Sequence, residues 1–114
     1  MGAVKVKEVN LERGMPLVAT AMSRLTNELS TAKMGGYKAV IVIHGYGSTG
    51  EGGAIKKAAK AKLKEPSLRG IVRDVAPGEA WQEKKKLFLD VCPQLKEFNR
   101  YVDGNKGLTV VLLK

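Results

Sequence analysis

A chain of 114 residues can build one hydrophobic core but not two, so a single domain spanning 1–114 is expected. Its 44% hydrophobic and 27% charged content is that of a globular chain, and no apolar run approaches the roughly 18 residues that cross a bilayer. Twenty Lys and Arg against eleven Asp and Glu leave a formal charge of +9, a balance that attracts polyanions, nucleic acid foremost.

Val4 to Leu11 alternates branched apolar and polar residues, which predicts a first strand with an irregular end near Glu8. Pro16 suits the first turn of a helix, and Val18, Ala21, Met22, Leu25, Leu29 and Ala32 then repeat at helical spacing until Gly35-Gly36. Ala39 to Ile43 is a continuous β-branched run, the pattern of a buried central strand. A second helix is expected from about Gly53 to Lys64, with Ile55, Ala58, Ala59 and Leu63 inward. Lys56, Lys57, Lys60 and Lys64 share an arc of about 100° on its outside. Pro66 ends this helix, Leu68 to Ala76 reads as a third strand, and Pro77-Gly78 marks a turn. The 77–106 segment is partly helical: Trp81, Phe88, Val91, Cys92, Leu95 and Phe98 form an inward stripe interrupted at Pro93. After a loop at Asp103–Gly107, Leu108 to Leu113 closes the sheet. The order β-α-β-α-β, helical insertion, β predicts an α/β two-layer sandwich on a mixed four-stranded sheet.

Between the second strand and second helix lie His44-Gly45-Tyr46-Gly47-Ser48-Thr49-Gly50-Glu51-Gly52-Gly53, with five glycines in ten residues. Backbone without Cβ approaches a ligand closely, and a helix start presents free N–H groups, so this loop predicts an anion site, most simply for phosphate. Gly45, Gly47 and Gly50 spell a dinucleotide fingerprint, but that fold needs two βαβαβ halves and the chain has room for little more than one. A nucleotide P-loop is excluded because no Gly-Lys-Ser/Thr follows the loop. One histidine and one cysteine argue against zinc, and Cys92 cannot form an internal disulfide. With no apolar signal core at the N-terminus, a cytoplasmic protein is expected.

The strand ending in His44-Gly45-Tyr46-Gly47, the loop Ser48-Thr49-Gly50 and the helix start Gly53-Ala54-Ile55-Lys56 resemble the second motif of the Smr domain, the small MutS-related domain found alone or at the end of MutS2 proteins. The family's first motif, L-D-x-H-G or L-D-x-R-G, is echoed in Asn10-Leu11-Glu12-Arg13-Gly14-Met15. The resemblance covers residues 4–76 and 107–113 and departs from the family at two places. Thr49 to Gly52 lengthen the loop, and the usual acid of the first motif is missing, with Arg13 where a histidine more often stands. The 77–106 stretch, with its pattern P-G-E-x-W, C-P and N-x-G, replaces a short connection, as expected of a stand-alone branch carrying an insertion.

The resemblance implies nucleic acid, DNA or RNA, as partner, and nicking or cleavage for some members; no membrane partner is expected. Gly45, Tyr46, Gly47, Ser48, Thr49, Gly50, Gly52 and Gly53 with Lys56, Lys57, Lys60 and Lys64 form the expected nucleic-acid-binding set. For a nicking endonuclease, His44 is the candidate general acid/base and Arg13 the candidate transition-state clamp. No resident cofactor is expected, and Mg²⁺ or Mn²⁺ enters only with cleavage. A single histidine without an orienting carboxylate favours a binding module over a nuclease. An enzyme for a small phosphorylated metabolite is the third reading, and it needs an enclosed pocket.

Overall fold

The computed structural model describes residues 5–14, 17–46 and 51–114. In chain order the elements are β1 (Val6–Asn10), α1 (Val18–Met34), β2 (Ala39–Ile43), α2 (Glu51–Lys62), β3 (Val72–Pro77), α3 (Trp81–Val91), α4 (Asn99–Val102) and β4 (Leu108–Leu113). Single 3-10 turns or short 3-10 stretches occupy Pro66–Leu68, Gly78–Ala80 and Pro93–Phe98. The sheet runs β1-β2-β4-β3: β1 is parallel to β2, and β4 is antiparallel to both β2 and β3. This is the expected mixed four-stranded α/β fold. β2 and β4 are central, which is why both are apolar runs with no exposed face.

Alternate residues of the central strands feed two cores. Val40, Val42, Val111 and Leu113 pack against Ala21, Leu25 and Leu29 of α1 and Ile55, Ala59 and Leu63 from α2 and its end. Ala39, Ile41, Val110 and Leu112 face the other way, onto Trp81, Phe88, Cys92, Leu95 and Val102. The 77–106 segment thus adds a helical layer over the second face of the sheet, so the domain has three layers rather than the expected two, because both faces of the apolar strands β2 and β4 need covering. Trp81, Phe88 and Leu95 are fully buried there, as the stripe in the sequence implied. The Trp81 and Phe88 rings meet edge to face at 5.7 Å and 82°, and Trp81 Nε1 donates to Asn99 Oδ1 at 2.8 Å.

Several boundaries differ from expectation. Strand β3 starts at Val72 rather than Leu68, because Leu68 is buried from a 3-10 turn, and burial from a turn leaves the same apolar mark in a sequence as burial from a strand. Helix α2 runs Glu51–Lys62 rather than from about Gly53 to Lys64, so Gly52 and Gly53 lie in its first turn and Lys64 falls just past its end. Pro16 lies outside the described residues.

Candidate nucleic-acid interface

Strands β1, β2 and β3 end, and β4 begins, at one end of the sheet, the end where open α/β folds hold ligands. Leu11 N–H donates to Ile43 O at 2.8 Å and carries the β1–β2 pairing one residue further, so the 11–14 turn lies beside the exit of β2. There Gly45 adopts φ +66°, and a Cβ on it would collide with the Glu12 carboxylate. Glycine is required at this position for its backbone conformation and for the close approach of Glu12 alike. The N–H groups of His44 and Gly45 both donate to Gly107 O at 2.9 Å, and Gly107 N–H donates to Asn105 Oδ1 at 2.9 Å. The amide of Gly45 is therefore committed inside the protein.

His44 is 1% exposed, with both ring nitrogens occupied. Nδ1 lies 2.7 Å from Gly45 O, and a carbonyl only accepts, so Nδ1 carries the proton. Nε2, 2.8 Å from Thr109 Oγ1, then accepts from the threonine hydroxyl. Burial pulls the His44 pKa below the usual 6.5. The Gly45 carbonyl opposes that shift, the Lys56 charge adds to it, and Glu79 and Glu12 oppose it. The ring is neutral at neutral pH.

Thr109 also lines a cleft between α2 and the β3 edge, walled by Lys56, Lys60, Leu63 and Lys64 on one side and Val75, Pro77 and Glu79 on the other. Helical spacing sets Lys56 and Lys60 about 6 Å apart along the axis of α2, and Lys64 follows in the turn just past the helix end at Lys62. Lys57 is exposed and absent from this wall, so the structure brings together three of the four expected lysines. Lys56 Nζ is 2.6 Å from Glu79 Oε2. Partial burial pushes the Glu79 carboxyl up, but its hydrogen bonds and the charge of Lys56 outweigh that and hold it below its usual value.

Comparison with known proteins decides the family. The model of the Smr domain matches residues 13–84, more than half of the chain. The chain belongs to the Smr domain family. Its structure is similar to the crystal structure of the Smr domain of Thermus thermophilus MutS2, with 25% identity and a TM-score of 0.60 over 95% of this chain and 98% of that one. No curated protein sequence matches. The family is known for nucleic-acid binding and nicking.

In this Smr domain the two expected catalytic residues stand at the same end of the sheet but in different settings. His44 is buried; Arg13 is exposed in the turn after β1, its carbonyl accepting from Arg24 Nη1 at 3.2 Å, and it does not line the cleft. Tyr46 is 59% exposed, open to stacking, and a Cβ on Gly53, in the first turn of α2, would lie 3.2 Å from its carbonyl oxygen. Gly47, Ser48, Thr49 and Gly50 lie outside the described residues. Among the described residues no three His, Cys, Asp or Glu side chains cluster to hold a metal, and no helix is long and apolar enough to cross a membrane.

Sequence reasoning missed three residues here. Glu12 was only a neighbour of Arg13, yet its carboxylate reaches Gly45. Thr109 carries a signal in hindsight, as the one polar residue in Leu-Thr-Val-Val-Leu-Leu. Glu79 stands within P-G-E-x-W, a pattern that by itself assigns it no role. Gly78 and Trp81 of that pattern set its place: a Cβ on Gly78 would strike the Asn105 and Val102 carbonyls, and Trp81 is locked in the core.

Proposed function

We propose that this domain binds nucleic acid by its phosphates, on the lysine face of α2 together with the glycine-rich loop that precedes it. The observation that carries the reading is the row Lys56, Lys60 and Lys64 along one wall of a cleft at the carboxyl end of the sheet, in a chain of charge +9. Lys60 and Lys64 have no carboxylate partner among the described residues, so their charge is free to meet phosphates. Contacts of this kind position a strand without reading its sequence. Tyr46 supplies an exposed ring for stacking on an unpaired base.

Fluorescence anisotropy with labelled duplex DNA and single-stranded RNA across a salt series tests this. Affinity should fall steeply with salt, and Lys60→Ala/Lys64→Ala should flatten the log–log slope on duplex by about 1.8, two phosphates at about 0.9 each. A double variant that binds like wild type would show that this face meets only solvent.

A second reading, nicking with His44 as proton-transfer group, is favoured by one contact. His44 Nε2 reaches the cleft through the Thr109 hydroxyl, so a proton would pass by way of that threonine. Incubation with supercoiled plasmid and labelled RNA, with and without Mg²⁺ or Mn²⁺, reads out cleavage. Under this reading Thr109→Val loses at least about a hundredfold in rate with affinity retained. Tight binding with no cleavage by the wild type leaves the binding module.

A further inference from the structure

We propose that Glu79 is an affinity-limiting residue of the lysine cleft: its carboxylate occupies Lys56 and keeps that lysine out of the phosphate-binding set. The inference rests on the phosphate-binding reading above and concerns how that same site is tuned. Three lysines line one wall, Lys56 and Lys60 one turn apart on α2 and Lys64 just past its end, and the only one with a carboxylate partner among the described residues is Lys56, at 2.6 Å. The partner comes from a different element, the 3-10 turn after β3, so nothing in helix formation requires the pair.

The placement of that carboxylate is fixed by its neighbours in sequence. Gly78 sits under the carbonyls of Val102 and Asn105 with no room for a side chain, and its own carbonyl accepts from Gly104 N–H at 2.9 Å. Two residues after Glu79, Trp81 is fully buried. Glu79 is thus delivered to the cleft by a backbone clamped on both sides. The carboxyl is held below its usual range and is ionised at neutral pH. An ionised carboxylate at this spot also repels any phosphate that approaches Lys56, while Lys60, one turn on, and Lys64, just past the helix end, stay available. The site is set for two adjacent phosphates where its lysine spacing would serve three. That discriminates against tight, indiscriminate binding to any polyanion.

The test compares Glu79→Gln, which keeps size and loses charge, with Glu97→Gln, an exposed carboxylate outside the cleft lining that changes net charge equally. Each is made with and without Lys56→Ala. Two readouts are used: the salt concentration that elutes the protein from immobilised heparin, and the salt dependence of binding to labelled duplex DNA. Glu79→Gln should bind duplex about threefold tighter or more at low salt, with a slope steeper by about 0.9, the signature of one added phosphate contact. It should also elute from heparin later than Glu97→Gln. Lys56→Ala should weaken the wild type only modestly, through the carboxylate it leaves bare, and should erase the gain in Glu79→Gln. The proposal is overturned if Glu79→Gln gains no more than Glu97→Gln, or if Lys56→Ala costs the same in both backgrounds. Retention on heparin without nucleic-acid binding would sink the nucleic-acid reading, and the heparin comparison would still decide the role of Glu79. No retention on heparin together with no duplex binding overturns both.

Discussion

Trp81→Ala should destabilise the domain by about 3–5 kcal/mol, the range for removing a large buried aromatic, and lower Tm by about 12–20 °C. The indole is 0% exposed, packs edge-on against Phe88 and donates to Asn99 Oδ1. Truncation opens a cavity beneath the sheet and leaves the Asn99 carbonyl oxygen without its donor. Because Trp81 follows Glu79 by two residues, the same change should loosen the carboxylate that pairs with Lys56. Urea and thermal melts give the number. A loss under about 1 kcal/mol would mean that the 77–106 segment is not part of the cooperative unit.

His44→Ala should cost about 2–4 kcal/mol of stability, because it removes a fully buried ring and strands two hydrogen-bonding groups, Gly45 O and Thr109 Oγ1. A catalytic role alone would leave stability untouched, so the melt separates the positioning role of this histidine from any chemical one. The sign of its pH dependence follows from burial. The folded-state pKa lies below the ordinary 6.5, so between those two values the unfolded chain binds the proton and the folded one does not. His44 therefore contributes stability that is complete above about pH 6.5 and is lost as pH falls through the folded pKa. Denaturant midpoints from pH 8 to pH 5 should decline in the wild type. His44→Gln, which does not titrate, should flatten that part of the decline. A wild-type midpoint that rises on acidification across this window would show that the ring is charged in the folded state, against the hydrogen bonding described above.

Much of the architecture was legible from local pattern. Ala39–Ile43 and Leu108–Leu113 appear as strands with the expected bounds, because a strand covered on both faces must be apolar throughout. The α1 face and the Trp81, Phe88, Leu95 stripe were also readable, since burial at helical spacing leaves a periodic mark. The family motif at 44–47 located the end of the sheet where the candidate residues gather.

What the sequence by itself determined is thus the set of elements, the mixed α/β class and the loop-and-lysine neighbourhood. Only the tertiary structure decided that the last helical segment covers the second face of the sheet, and which side chains meet at its carboxyl end. Glu12 with Gly45, His44 with Thr109 and Lys56 with Glu79 are separated along the chain by 33, 65 and 23 residues. Such pairs leave no periodicity to read. They exist because strand pairing brings four chain crossings to one edge, and because a charge or hydroxyl near that edge lowers its energy by finding the nearest partner, whatever its place in the sequence.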